Sequence, residues 1–137
     1  MSHYTKIQTC LKDQKYLLAA LKDMGFSDVE VHDTPQKLYG YLGDERTDTA
    51  HVIVRRQHVG QSSNDIGFLR NAEGIFEASI SEFDRDELKY DEEWLGKLSQ
   101  RYAYHATLDQ LKKQGFQVRQ EKQDGGKIRL TLDRRTW

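Results

Sequence analysis

LKDMGF (residues 21–26) and LKKQGF (residues 111–116) are two copies of one phrase, and they stand far apart in the chain. Each copy predicts the last turn of an amphipathic helix, followed by a glycine, Gly25 or Gly115, in the left-handed conformation that ends helices. The Phe after each glycine is expected to pack back on the core before a strand begins. The sequence therefore predicts two helix-to-strand units that share one sheet.

The composition predicts one folded domain over residues 1–137. Of these residues, 36% are hydrophobic and 31% are charged, with a mean hydropathy of -0.85, and the seven Tyr, five Phe and two Trp argue against disorder. The single cysteine, Cys10, excludes an internal disulfide and a site of several thiolates, which favours a reducing compartment. No signal, transit or membrane-spanning pattern is evident, so membrane insertion is not expected.

The pattern of apolar residues predicts the order of the elements. A strand over residues 3–8 precedes a helix over residues 14–24 with Asp13 as its N-cap. A second, continuous helix is expected from the Asp91 cap to Gly115. Between the helices we expect short β segments and connections: strands 29–31, 38–42 and 51–55, a turn at 33–35, a loop at 43–49, and a hairpin of strands 66–70 and 75–80.

The last hairpin can be placed in register from its apolar residues. A three-residue loop over 124–126 sets Val118 opposite Leu132, so that both share the buried face. The same register sets Glu121 opposite Arg129 and Arg119 opposite Thr131 on the outer face.

These elements favour an α+β fold, a mostly antiparallel sheet with two main helices on one face and ferredoxin-like half units. The strand order stays open. Alternation places polar side chains on the opposite face, and this polar sheet face is the predicted binding surface. Its candidate binding residues are Arg55, Arg70, Arg119 and Arg129.

Charge is distributed unevenly along a chain whose net charge is -1. Residues 77–93 carry eight acidic and two basic side chains, whereas residues 110–137 carry eight basic and three acidic ones. Solvated loops explain part of this asymmetry, and the alternative is a complementary docking surface.

No motif assigns a reaction to the chain. The five histidines form neither an HxH pair nor an i, i+4 helical pair, so we predict no metal, and no nucleotide-binding or nucleophile motif predicts a cofactor. The acidic run over residues 82–87 is expected to be a solvated loop, because it lacks the ligand ladder of a calcium loop. An enzyme whose active-site residues are scattered in sequence stays as an alternative.

RNA binding is the more specific alternative to protein binding. The basic tail over residues 127–137 could hold phosphates with its Arg and Lys side chains and stack a base on Trp137. Against this, the sequence pI of about 6.5 gives no global attraction to phosphate, and the aromatic pattern of RNA-binding sheets is absent.

Four phrases together resemble one family: MSHYTKIQT (1–9), LKDMGF (21–26), QRYAYH (100–105) and QGF (114–116). They are similar to the hypothetical chloroplast reading frame thirty-five family of cyanobacteria and plastids, a domain of unknown function. The resemblance covers essentially the whole chain. It implies a location in cyanobacterial cytoplasm or plastid stroma and an ATPase of the AAA type as a partner, and it supplies no catalytic residues.

We therefore predict a non-enzymatic protein-interaction or regulatory module. It would recognise a partner protein through the polar sheet face, the acidic loop and the basic hairpin. The open sheet edges also make a homodimer an expectation, without indicating which edge pairs.

Overall fold

The computed structural model describes residues 3–134, which form a five-stranded antiparallel sheet, a separate two-stranded sheet and four helices. The elements follow in the order β1 (Tyr4–Gln8), α1 (Gln14–Asp23), β2 (Glu30–Tyr39), β3 (Glu45–Val54), α2 (Arg56–Val59), β4 (Ile66–Arg70), β5 (Phe76–Ser81), α3 (Glu82–Asp86), α4 (Glu92–Lys113), β6 (Phe116–Asp124) and β7 (Lys127–Arg134). The strand order of the large sheet is β1-β5-β4-β3-β2. The predicted α+β class is confirmed.

Helix α1 forms where the sequence predicts it. The side chain of Asp13 caps the helix by accepting from the backbone N–H of Lys15. Leu17 and Leu21 on one face are fully buried. At the other end Gly25 has φ +101°, and the N–H of Phe26 donates to the carbonyl of Leu21 at 2.9 Å. The predicted helix end is therefore confirmed.

Helix α4 is continuous over 22 residues. Asp91 caps it by accepting from the N–H groups of Glu93 and Trp94. Its buried Leu95 and Leu98 join α1 over one face of the large sheet. The core of that face is aliphatic and aromatic, with Val52, Val54, Ile66, Phe68, Phe76, Ala78 and Ile80 from the strands. The prediction of two main helices on one sheet face is confirmed.

Strands β2 and β3 are longer than predicted. The turn predicted at residues 33–35 and the loop predicted at 43–49 are wrong, because β2 continues through Pro35 and β3 already begins at Glu45. The β2–β3 register shifts between Val31 and Gln36, which lets a proline sit in the strand without breaking it. The true turn is the short connection between Tyr39 and Glu45.

The outer part of the β2–β3 hairpin folds across the second face of the sheet. Leu38 and Ala50 of the hairpin are fully buried, and they lie against Gly67 of the central strand β4. The guanidinium of Arg46 stacks over the ring of Tyr4 at 5.2 Å, although Tyr4 belongs to the opposite edge strand. The expectation of an open polar face is wrong for this part of the sheet, since the hairpin covers it.

Strands β6 and β7 form their own sheet beside α4, so the predicted sharing of one sheet by both helix-to-strand units is wrong. Val118 does pair with Leu132, as predicted, but the loop has two residues, Gly125 and Gly126. A bulge at Arg119 restores the register. It places Glu121 opposite Leu130 and Gln120 opposite Thr131, and both predicted outer pairs are therefore wrong.

Two short helices were not predicted. Residues 82–86 form α3 rather than a solvated loop, with the hydroxyl of Ser81 accepting from the N–H of Asp84 at 3.1 Å as the cap. Helix α2 joins β3 to the segment before β4. Helices of one turn leave no periodicity that a sequence pattern can reveal.

Gly67 provides a test of the covered face. A Cβ on Gly67 would lie 2.6 Å from the Cβ of Ala50 and 2.9 Å from a methyl group of Leu38. We expect Gly67→Ala to lower the free energy of unfolding by about 1–3 kcal/mol through overpacking, measured by urea denaturation.

The matched control is Gly96→Ala on α4, where an added Cβ meets nothing within 4 Å. This variant should gain about 1 kcal/mol from helix propensity. Equal stability of the two variants would contradict the close approach of the hairpin to β4.

Candidate functional site

A buried polar junction lies where the hairpin turn, α2, β4 and α3 meet. Asn64 and Asp65, immediately before β4, are each only 1% exposed, and Asp84 of α3 is fully buried. Polar side chains at such depth are retained when hydrogen bonds replace the lost water. The residues Asn64, Asp65, Asp84 and Arg55 are called the polar junction below.

Asp65 receives donors from three segments. Its Oδ2 accepts from the N–H of Tyr39 at 2.7 Å and from Nη1 of Arg55 at 2.8 Å, while Oδ1 accepts from the N–H of Arg56 at 2.7 Å. The hydroxyl of Tyr4 donates to the backbone carbonyl of Asp65 at 2.6 Å. Burial, followed by the Asp65 carboxylate, raises the pKa of Tyr4 and keeps that hydroxyl protonated. Asp65 thus joins β1, β2, β3 and β4 at one point.

Asn64 joins the hairpin turn to α3. Its Oδ1 accepts from the N–H of Tyr41 at 3.0 Å, and its Nδ2 donates to the hydroxyl of Ser81 at 2.9 Å. Its own N–H donates to Oδ2 of Asp84 at 3.1 Å. Both side-chain ends of Asn64 are therefore used, and the residue acts as a rigid connector.

The sequence predicts that Arg55 binds a partner, but in the structure its guanidinium contacts other residues of the same chain. Its Nε and Nη2 donate to the two carboxylate oxygens of Glu30 at 2.8 Å each, and its Nη1 donates to Asp65. The hydrogen bond to Glu30 is the main cause that raises the pKa of Arg55. The ring of Tyr39 lies 5.6 Å from the guanidinium carbon. A bidentate pair of this kind fixes the side chain in place.

Asp84 is the least satisfied member of the polar junction. Burial raises the pKa of Asp84, and the neighbouring Asn64, Ser81 and Ser63 oppose that rise. Its Oδ1 and the hydroxyl of Ser63 make no well-directed hydrogen bond within residues 3–134. Both atoms are buried.

Exposed apolar side chains lie on or beside the segments that the polar junction joins. They are Tyr39, Tyr41, Leu42, Phe83 and Leu88, called the apolar patch below, and their exposed fractions run from 36% to 69%. Tyr39 and Tyr41 are tied to the junction through their N–H groups, and Phe83 precedes Asp84 in α3. Phe83 and Leu88 also line a cavity of about 350 Å³ with Val59, Gly60 and Tyr90. Among the large apolar residues exposed within 3–134, the remaining one is Val31.

The other predicted binding residues are not brought together. Arg70 lies on the helix side of the sheet, with its guanidinium 4.7 Å from the ring centre of Phe76. Arg119 and Arg129 lie on the separate β6–β7 sheet. Trp137 lies outside the described residues. The four described arginines therefore do not form one surface, and their part in binding stays a prediction.

A second polar cluster ties α1, α4 and β6 together. Asp23, at the end of α1, accepts from Nε of Arg101 at 2.9 Å and lies 2.6 Å from Nε2 of His105. Partial burial by itself would raise the pKa of Asp23. The contacts with His105 and Arg101 outweigh this effect and hold the pKa of Asp23 below its usual value. Glu121 of β6 accepts from the hydroxyl of Tyr104 at 2.6 Å. The C-terminus of a helix carries partial negative charge, so a carboxylate there is unfavourable. The cations of this cluster offset that cost for Asp23.

The described part of the chain has neither a clustered set of metal-ligating side chains nor a membrane-spanning helix. Residues 3–134 contain no group of three or more His, Cys, Asp and Glu side chains arranged to hold a metal ion. No helix in the same range combines the length and apolar character needed to span a bilayer.

Sequence reasoning missed the polar junction. The run Ser63, Asn64, Asp65 is polar and precedes a strand, which is the usual pattern of a solvated loop. Nothing in its spacing indicates burial. The acceptors that Asp65 and Asn64 supply to the amides of Tyr39 and Tyr41 are visible only in the structure.

The Glu30–Arg55 pair gives a pH-dependent prediction. The hydrogen bond from Arg55 is the main cause that lowers the pKa of Glu30 from 4.5 to about 2. A carboxyl whose pKa falls on folding stabilises the protein above its unfolded pKa, and this contribution is lost as pH drops from about 4.5 to about 2. We expect Glu30→Gln to cost about 1 kcal/mol at pH 7, a value kept small because this side chain is 41% exposed.

The measurement is the free energy of unfolding of wild type and Glu30→Gln between pH 7 and pH 2. The difference should vanish toward the acid end. Glu45→Gln, which removes the solvent-exposed pair with Lys37, is the control and should change stability by less than about 0.5 kcal/mol. A difference for Glu30→Gln that stays constant with pH would refute the assignment.

Comparison with known sequences places the chain in a family. The model of the family described as "Protein of unknown function (DUF1257)" matches residues 20–131. The protein named "Uncharacterized protein ycf35" of Pyropia yezoensis is 31% identical over 139 residues, and that of Cyanophora paradoxa is 30% identical over 136 residues, with 98% of each chain covered in both cases. The protein of the same name from Guillardia theta is 29% identical over 136 residues, again with 98% coverage of each chain.

No solved structure matches the chain significantly. The match over residues 20–131 and the full-length relatives agree with the resemblance carried by the phrases MSHYTKIQT, LKDMGF, QRYAYH and QGF. The chain therefore belongs to the DUF1257 family of proteins of unknown function, to which it is similar along almost its whole length.

Proposed function

We propose that this chain is a non-enzymatic protein-interaction module whose docking surface is the apolar patch. The observation that carries the proposal is that five exposed apolar side chains lie on the segments that the polar junction joins, two of them at a cavity of about 350 Å³. Exposed apolar side chains beside a cavity with polar neighbours are typical of interaction sites. This surface replaces the polar sheet face, which the hairpin covers.

The polar junction supports this proposal by holding the patch in one conformation. The N–H groups of Tyr39 and Tyr41 are fixed by Asp65 and Asn64, so the backbone that carries their rings is ordered before any partner arrives. A preformed surface loses less conformational entropy on association than a mobile one. Tyrosine is also enriched among the residues that dominate binding energy.

The charges beside the patch indicate the chemistry of the partner. Glu82, Asp86 and Glu87 are exposed and flank Phe83 and Leu88. Within residues 3–134, Glu82 and Glu87 have no ion-pair partner. The occupant that fits is a protein segment with an apolar side chain for the 350 Å³ cavity, flanked by Lys or Arg for these carboxylates.

The resemblance to the plastid and cyanobacterial family supports an ATPase of the AAA type as the first partner to look for. It also supports cyanobacterial cytoplasm or plastid stroma as the location. A homodimer stays a separate prediction, since β1 and β2 are the edge strands of the large sheet.

Site-specific photo-crosslinking tests the proposal. A photoreactive amino acid replaces Leu42 or Leu88 in the full-length chain, and Lys97, an exposed residue of α4, is the control position. After irradiation in native lysate, we expect positions 42 and 88 to crosslink to the same protein, identified by mass spectrometry. Glu82→Gln/Glu87→Gln should reduce that crosslink several-fold with little change in melting temperature, because both carboxylates are exposed.

Two results would contradict the proposal. One is the absence of a partner shared by positions 42 and 88. The other is equal capture of the same protein from position 97, which would show collision rather than docking.

A further inference from the structure

The β6–β7 ribbon has two chemically different faces. Its inner face turns toward α4, where Ile128 and Leu130 line a cavity with Tyr104 and Glu121 accepts the Tyr104 hydrogen bond. The register and the bulge at Arg119 place the alternate residues on the outer face. A two-stranded sheet alone is marginally stable, so contact with α4 supports this ribbon and leaves its outer face to solvent.

The outer face carries an unbalanced pair of like charges. Lys122 and Arg129 are direct cross-strand partners, and both are exposed. Lys127 follows on the same face, two residues before Arg129 in β7. Like charges placed directly opposite each other destabilise a ribbon. A bound anion would remove that repulsion.

These cations are not neutralised within the described chain. Lys122 and Arg129 have no ion-pair partner among the described side chains of residues 3–134, and Lys127 lies opposite Asp124 in the register. The contact of Arg119 with Asp133 is long, at 3.8 Å, and its side chain is 63% exposed. The adjacent cations Lys122 and Arg129 are therefore available to an external anion, with Lys127 and Arg119 beside them on the same face.

The neutral residues on the same face favour one kind of anion. Among the described outward-facing residues, Gln117, Gln120, Thr131 and one acidic residue, Asp133, accompany the cations, and none is aromatic or aliphatic. A protein interface would need apolar anchors at its centre. Amide, hydroxyl, Lys and Arg groups are instead the side chains that contact phosphate. The face also lacks the aromatic platforms on which single-stranded bases stack.

We propose that the outer face of the β6–β7 ribbon binds the phosphodiester backbone of a nucleic acid duplex without reading its sequence. The net charge of -1 is small, so within a Debye length the local cations decide the interaction. This site is separate from the apolar patch, and its test does not depend on the proposed protein partner.

Fluorescence anisotropy tests this inference. The full-length protein is titrated into labelled 20-base-pair RNA duplex, DNA duplex and a single strand of the same sequence, from about 50 to about 200 mM salt. We expect duplex binding that weakens with salt. Lys122→Gln/Arg129→Gln should lower the affinity about tenfold and reduce the logarithmic salt slope by about 2. Thermal melting should show that this variant folds, because it loses a repulsive pair.

The matched control is Lys12→Gln/Lys97→Gln, which makes the same change in net charge at exposed positions outside the ribbon. This control should bind like wild type. Binding of RNA duplex alone, or of both duplexes, would support the inference and would identify the nucleic acid. Three results would overturn it: no salt-dependent binding at 50 mM, equal loss in the control, or displacement by a Glu-rich 12-residue peptide at equal charge concentration.

Discussion

The side chains of Asn64 and Asp65 accept hydrogen bonds that backbone carbonyls of a neighbouring strand would otherwise accept. They do so at the point where the β2–β3 hairpin crosses the sheet. The N–H groups of Tyr39 and Tyr41 leave the strand ladder at the hairpin end and find their acceptors in these two buried side chains. An unpaired backbone group in a buried position costs free energy comparable to a lost hydrogen bond. The rest of the architecture depends on these side-chain acceptors. The hairpin can cover the sheet only if the backbone N–H groups at its turn have hydrogen-bond acceptors.

The covered sheet face changes where function can reside. Antiparallel sheets commonly leave one face to solvent, and a polar face would have been the natural binding surface. Here Leu38 and Ala50 fill that face against Gly67, and Arg55 is held by Glu30 and Asp65. The two proposed recognition surfaces therefore lie away from that face, at the apolar patch and on the outer face of the β6–β7 ribbon.

The parts of the fold that the sequence predicts are those set by local chemistry. Asp13, Gly25 and Asp91 define helix ends through caps and a left-handed glycine, and these follow from neighbouring residues alone. The long β2 strand was not predictable, because Pro35 ordinarily breaks a strand and its bulge depends on pairing with β3. The register of β6 and β7 was only partly predictable: the apolar residues fix Val118 opposite Leu132, but the bulge at Arg119, which shifts the pairs beyond it, has no signal in the apolar pattern.

The candidate site was less predictable than the fold. Asp65 and Asn64 become buried because distant segments converge on them, and no local pattern records that convergence. Arg55 was predicted to be a binding residue because alternation places it on the polar sheet face, but its internal role depends on Glu30, 25 residues earlier in the chain. The apolar patch combines Leu42 and Phe83 from separate elements, so it is visible only in three dimensions.

The most direct test of the central claim is native-state hydrogen exchange at the amides of the hairpin turn, resolved by NMR. If Asp65 and Asn64 accept from Tyr39 and Tyr41, those two amides should exchange slower than the Leu42 amide by on the order of a hundredfold or more, although both tyrosine side chains are exposed. Exchange of all three amides at the same rate would contradict the account, because the hairpin turn would then be open to water and not held by the polar junction.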